Sequence, residues 1–363
     1  MDSKKEGTPA DCALHREVVK KAHNLVTYIN GHKGVHVKFL DAAMAKRSNE
    51  EGARMIDSLI EDVVTRWDSE LTMLERIYYF DKEILALFGD PSAALPRELA
   101  LNRFQFDLAY AMTKILAPFR IFTKFVQQKE AVTLAYLPKL VDDLVSSMAP
   151  GSFAAVLEDC AENVLAHMET FQLRLIESIR SRFGWMFDGR SLPLAARMFL
   201  PGKNLFVFQN FEVTADTLKI VRDNILADYV DLLSPDLSQE EKDIEKNFAG
   251  IVFDKCRLEL LKSDESANPL VWWPEHPNFT ALFEVAKMYL QIPASSGENE
   301  RSFSSASFTL DPRRTRLDLD NFRKEHRIRR KLCASGNPAE KLQVSNDIIK
   351  EFSRIVVGKK EEQ

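Results

Sequence analysis

Residues 268–332 read NPLVWWPEHPNFTALFEVAKMYLQIPASSGENERSFSSASFTLDPRRTRLDLDNFRKEHRIRRKL, and the fold is read outward from this stretch. It has four physical parts. An apolar and aromatic Pro269-Leu270-Val271-Trp272-Trp273 opens it. A helix then follows, with Phe279, Leu282, Phe283, Ala286, Leu290 and Ile292. A turn rich in small residues, 293–297, ends that helix. A polar stretch enters a further helix near Glu300 and leads to a basic loop, Arg313-Arg314-Thr315-Arg316-Leu317.

The rest of the chain is also patterned for helices. Leu14, Val18, Ala22, Leu25, Val26 and Ile29 make one helical face, which Gly31 and Gly34 should break. Short helices are expected over 37–46 and 50–60. Residues 61–67, Glu-Asp-Val-Val-Thr-Arg-Trp, favour extended structure and are the one clear strand expected. Asp68 or Ser69 should cap a long helix with Leu71, Leu74, Ile77, Tyr78, Ile84, Leu85 and Phe88 on its buried side. Helical periods recur over 97–182, including one long core-facing helix from Phe153 to Ile179, and again over 214–233. Residues 234–246 and 262–268 are polar, and the main boundary is placed at the second of these. A polar hinge at 333–338 precedes an amphipathic helix carrying Ile348, Ile349, Phe352, Ile355 and Val356. The charged end, 358–363, should fray.

The 363 residues, 45% of them hydrophobic, are enough for a large core or two packed units. The formal net charge is -5, so any nucleic-acid contact must come from a local patch. Residues 313–331 are such a patch, with nine Lys/Arg against three Asp/Glu. It reads as a phosphate-contacting or nuclear-import segment, or as a solvated face balancing an acidic body. Cys12, Cys160, Cys256 and Cys333 are far apart and form no CxxC pair, which fits a reducing compartment. No apolar leader and no run of roughly 18–20 apolar residues is present, so a soluble, intracellular protein without membrane contact is expected.

The common catalytic motifs are missing: no GxxxxGK[ST], GxGxxG, HExxH or GxSxG. Cys12 and His15 form a CxxH, but no second pair stands at zinc-finger distance, so no metal site is assigned.

The 268–332 stretch resembles the C-terminal dimerisation region of hAT-type transposases. The family's Pro-Leu-x-Trp-Trp is Pro269–Trp273, its Tyr-Leu-x-Ile-Pro-Ala is Tyr289–Ala294, and a Ser-rich turn follows at Ser295-Ser296. Its Glu-Arg-x-Phe-Ser is Glu300–Ser304, and its Arg-x-x-Leu is Arg314–Leu317. Further forward, Cys12-Ala13-Leu14-His15 is similar to the family's CxxH. Thr65-Arg66-Trp67-Asp68-Ser69 is similar to its Thr-Arg-Trp-Asn-Ser.

The resemblance implies a mainly α protein with an incomplete RNase H-like core of one or few strands, interrupted by a large all-helical insertion. The expected parts are a core remnant at 12–69, the insertion at 70–262, the dimerisation region at 269–332, and a charged hinge with an amphipathic tail helix at 333–363. Family members cut and join DNA with two divalent metals held by three acids, a chemistry that needs clustered carboxylates around the attacked phosphate. The resemblance makes Glu300 the equivalent of the third acid. The two aspartates precede the CxxH in the family, and only Asp2, Glu6 and Asp11 do so here. A catalytically incomplete protein is therefore expected, with no cofactor, and Mg or Mn only if the missing part is supplied. Gly297-Glu298-Asn299 also departs from the small residues usual before the Glu-Arg.

By the same carry-over, Arg66, Trp67, Arg301, Arg313, Arg314 and Arg316 are candidate DNA contacts, with Trp67 stacking on an unpaired base. The alternative is that Trp67 is an ordinary buried aromatic. Cys12 and His15 are a structural pair, or else a small buried thiol and a surface imidazole. Trp272, Trp273, Phe279, Phe283, Tyr289 and Phe303 are candidate dimerisation residues, set against an ordinary intrachain core. The expected partner is a second copy or a related transposase chain, with DNA as an alternative, and the expected location is the nucleus, otherwise the cytoplasm. An active transposase with a further N-terminal part, and a DNA-binding module using 313–331, are the competing functions.

Overall fold

The computed structural model describes residues 10–48, 58–62, 67–128, 131–202, 205–233, 236–264 and 267–296. Every regular element among them is helical, as the periodicity implies. The expected strand at 61–67 is not seen: Glu61 and Asp62 are irregular, 63–66 lie outside the described residues, and Trp67 begins a helix. Extended propensity makes a strand only where a neighbour supplies ladder partners. No RNase H-like sheet is present among the described residues. The helix expected over 50–60 falls mostly outside them, and Ser58–Ile60 are not helical. The tail helix with Ile348, Ile349, Phe352, Ile355 and Val356 lies outside as well.

The chain forms two compact units. One comprises residues up to Arg120 together with Met148–Ser178, and the other comprises Ile121–Ser147 and everything from Ile179.

In the first unit, α1 (Ala10–Gly31) buries Val18, Ala22, Leu25, Val26 and Ile29, the face read from the sequence. α2 (Lys33–Ser48) starts after a single-residue break at His32, so only Gly31 ends a helix and Gly34 lies inside the next. The long helix expected after Ser69 is two, α3 (Trp67–Tyr79) and α4 (Asp81–Gly89). The joint is Phe80, with φ -102° and ψ 23°, wholly buried and edge-to-face with Phe39 at 5.0 Å. Lys46 closes the joint: its ammonium donates to the Tyr79 carbonyl and pairs with Glu83 at 3.2 Å. A cation there answers the carbonyl end of α3. α5 (Arg103–Val126) carries Pro118 in its interior.

α6 (Leu137–Ser147) belongs to the second unit. α7 (Glu162–Phe183) begins nine residues later than the periodicity from Phe153 implies. Gly151 takes a left-handed φ of +81°, and 152–160 close as successive i→i+3 turns instead. Leu157 and Cys160 are nevertheless buried, so the apolar signal reported burial rather than helix.

In the second unit, α8 (Leu192–Arg197) is capped by Ser191, whose hydroxyl accepts from the Leu194 N–H at 3.3 Å. α9 (Ala215–Leu233) packs on α10 (Gln239–Lys262), and α8 packs on the Leu134–Tyr136 turn. Two buried charges fasten the irregular segment between α8 and α9. Asp142 on α6, fully buried, accepts the backbone N–H of Asn210 at 2.7 Å and of Gln209 at 3.0 Å. Arg197 donates to the carbonyls of Leu205 and, at 3.1 Å, Ala135. Charges buried among donors or acceptors of this kind avoid the cost of an unpaired buried ion. The polar stretch 234–246 is not a linker: Ser238 and Glu241 form a capping box and α10 runs from there unbroken to Lys262.

Candidate functional site: the aromatic segment after α10

The segment starts where α10 stops. Asn268 accepts the Leu270 N–H at 3.0 Å, and Pro269, which has no N–H to satisfy, takes the first helical position of a short α11 (Pro269–Trp272). That turn places two tryptophans side by side, ring centroids 5.1 Å apart and edge to face. Trp272 donates its indole N–H to the Ser263 hydroxyl at 2.7 Å and stacks on His276 at 3.9 Å. Trp273, 1% exposed, donates to the Phe199 carbonyl at 3.1 Å.

α12 (Thr280–Leu290) then turns Leu282, Val285, Ala286, Tyr289 and Leu290 inward against α8 and α9. Its Tyr289 ring stacks on Phe199 at 5.5 Å, and its hydroxyl donates to Asp228. Burial, reinforced by the Asp228 carboxylate, pushes the Tyr289 phenol well above its usual range. Beyond α12 the chain is tied down twice. The Ala294 N–H donates to the Thr133 hydroxyl at 2.9 Å, and the Ser295 hydroxyl donates to the Val126 carbonyl at 2.8 Å.

α10 supplies the floor beneath these aromatics. Arg257 donates to the carbonyls of Met198 at 2.6 Å and Leu200 at 3.3 Å, and its burial lowers its pKa to about 10. Burial likewise pushes the neighbouring Cys256 thiol up to about 12.

The candidate dimerisation residues therefore divide. Trp272, Trp273 and Tyr289 are buried within their own unit. Phe279 and Phe283 are half-buried, and Phe283 lies parallel to Trp273 at 5.9 Å. Leu270 and Val271, which the sequence reading did not single out, are 49% and 48% exposed. Two exposed residues followed by two buried ones in one apolar run leave no sequence pattern that separates outside from inside here. Phe199, Asp228 and Ser263, the partners that seat the aromatics, carry no local signal at all. Phe303, Glu300, Arg301, Arg313, Arg314 and Arg316 lie outside the described residues.

At the front of the chain, Arg66 lies outside the described residues, as do the side chains of Cys12 and Trp67. His15 is buried at 5% exposure and stacks on Phe171 at 4.5 Å. It lines a cavity of about 550 Å³ with Val19, His23, Asp62, Glu70 and Met112. The His23 ring contacts the Asp62 carboxylate. Burial, with the Asp62 charge second, raises the Glu70 carboxyl above its usual value. Among the described residues no three His, Cys, Asp or Glu are placed to hold a metal ion. No described helix is long and apolar enough to cross a membrane.

Residues 255–330 match the hAT family C-terminal dimerisation region. The match covers the end of α10, both tryptophans and all of α12. No curated protein matches the chain.

Proposed function

We infer that this chain, an hAT transposase-related protein, works by self-association through its C-terminal region. The observation that carries the reading is the match of residues 255–330 to the family's dimerisation region. The geometry supports it. Trp272, Trp273 and Tyr289 act as internal anchors that hold α11 and α12 in place. Leu270, Val271, Phe279 and Phe283 remain at or near the surface as apolar contact area.

Glu300 is the one position matched to the family's three acids, and a lone carboxylate holds Mg²⁺ or Mn²⁺ weakly. An incomplete RNase H-like core belongs to the same reading, with 12–69 as its remnant. The partner is a second copy or a related transposase chain, and the compartment is the nucleus.

The test is the solution mass of the full-length protein by light scattering across a concentration series. A closed dimer or larger assembly supports the reading. A monomer at every concentration removes it. Leu270→Asp and Phe283→Asp are the informative variants, because Trp272 and Trp273 substitutions would damage the fold itself.

A second reading, DNA binding through 313–331, rests on nine Lys/Arg against three Asp/Glu in a chain of net charge -5. It predicts duplex binding that falls steeply with salt and is lost when Arg313, Arg314 and Arg316 are neutralised. Salt-independent or absent binding removes it.

A further inference from the structure

α10 is apolar on two opposite faces. One face, Ala249, Phe253, Cys256 and Leu260, is buried within the second unit. On the other side Ile244 is 69% exposed, Phe248 61%, Ile251 57% and Leu258 58%. These four, with Lys255 between the last two, step by four and three residues along the helix. That is the spacing of a seam that another helix covers. A surface helix ordinarily spends its outer face on polar residues, so a seam of this kind marks a contact site.

We propose that the seam Ile244–Phe248–Ile251–Leu258 is where a second copy of the chain docks, α10 against α10, antiparallel about a two-fold axis at Ile251. This rests on the self-association reading and adds a face of α10 to the contact area of Leu270, Val271, Phe279 and Phe283.

Two observations select a second copy as the occupant. The first is the placing of Ile244 and Leu258 about Ile251, three of the four seam residues. Ile244 and Leu258 lie at equal distances on either side, so antiparallel pairing places Ile251 on Ile251, each Ile244 on the other copy's Leu258, and each Phe248 beside the other copy's Asp254. The same register places Glu240 against Lys262, and Asn247 against Lys255. The apolar pairing and the pairing of opposite charges at the ends thus coincide in one self-complementary arrangement, as a two-fold interface requires. The antiparallel direction also sets the two helix dipoles head to tail. The second observation is continuity. The C-terminal half of the seam, Lys255 and Leu258, lies inside the matched dimerisation region.

α10 is fastened to α9 by contacts that leave the four seam side chains exposed. Arg222 on α9 forms a two-point contact with Asp254, at 2.9 and 2.8 Å. Lys242 pairs with Asp231 at 2.8 Å. Substitutions of Ile244, Phe248 or Ile251 therefore leave the helix and its packing in place. Lys262 pairs with Glu259 at 2.7 Å within the single chain and is 69% exposed at its side chain, so it can exchange that partner for Glu240 of a second copy.

The test uses the full-length chain and a small set of variants. Ile251→Cys is left to oxidise and run without reductant, against the parent chain and an Ile220→Cys control, exposed on α9. Rapid disulfide-linked dimer from Ile251→Cys alone is the expected result, since the two-fold axis brings like residues together. Glu240→Lys is expected to weaken the dimer roughly tenfold by light scattering, and Glu240→Lys with Lys262→Glu to restore it. If the parent chain dimerises and Phe248→Glu with Ile251→Glu leaves that dimer intact, the seam is not the interface, while self-association stands. If the parent chain is monomeric throughout, both fall. If the thiol introduced by Ile251→Cys is shielded in a monomer and uncovered by Phe352→Glu, the chain's own 344–357 segment occupies the seam, and the proposal is overturned.

Discussion

The indole N–H of Trp273 donates to the backbone carbonyl of Phe199 at 3.1 Å, joining positions 74 residues apart. Around that bond, Phe199 also contacts Tyr289 and Phe253, so one carbonyl and one ring join the turn after α8, α10, the C-cap of α11 and α12. An interface aromatic that unfolds its own chain when removed is a poor probe of an interface.

Trp273→Ala is therefore expected to cost about 3–5 kcal/mol of stability, the range for deleting a large buried aromatic. Trp273→Phe keeps most of the packing but strands the Phe199 carbonyl, at about 1–3 kcal/mol. Urea melts followed by circular dichroism will separate the two. Equal, negligible effects would mean that Trp273 does not anchor α11.

Asp142 gives a second stability prediction. It is fully buried and receives the N–H groups of Gln209 and Asn210. Asp142→Ala leaves both donors without an acceptor and should cost about 2–4 kcal/mol, whereas Asp142→Asn keeps one acceptor and should cost less. Hydrogen exchange at residues 209 and 210 should accelerate in both variants. Unchanged protection in Asp142→Ala would show that the contact does not hold the loop.

The pH response of the front unit follows from Glu70. Its carboxyl is raised, so the folded chain holds this proton more tightly than the unfolded chain does. The sign is thus the reverse of a salt-bridged acid. The contribution is present below the ordinary glutamate pKa of 4.5 and is lost as pH rises through the higher folded value. Glu70→Gln should make the chain more stable than the parent at neutral pH, with the gap closing toward pH 4. Asp62→Asn should lower the Glu70 pKa in a carboxyl NMR titration. No change there would remove Asp62 as a cause.

Thiol labelling offers a simple readout of the second unit's core. Cys256 is 2% exposed and its pKa is pushed up to about 12, so it carries almost no thiolate at pH 8. Iodoacetamide should leave it unmodified in the native chain and modify it in urea. Native labelling at Cys256 would show that α10 detaches from its bed.

Periodicity found the helices that bury one clean face. α1 and α12 appear where Val18, Ala22, Leu25 and Ile29, and Leu282, Ala286 and Leu290, place them. It failed where charge or burial imitates something else. Residues 234–246 read only as a polar stretch, yet its acids occupy the first turns of α10, where the helix dipole favours them, and Ser238-x-x-Glu241 marks its start. The apolar run from Phe153 read as helix because turns with buried side chains share its composition.

The site was legible as a motif and not as a surface. Pro269–Trp273 and Tyr289–Ala294 identified the region, but inside and outside depend on Phe199, Asp228 and Ser263, contacts that no local pattern encodes. The seam on α10 was missed for the opposite reason. Two apolar faces on one helix cancel in any search for a single stripe.

The anchoring of Ala294 and Ser295 to Thr133 and Val126 sets a radius of action for what comes next. Glu300 is five peptide steps past Ser295, a tether of at most about 18 Å when fully drawn out. That length bounds the Glu300 Cα about Ser295, at the end of α5, and the side chain reaches a few Å beyond it.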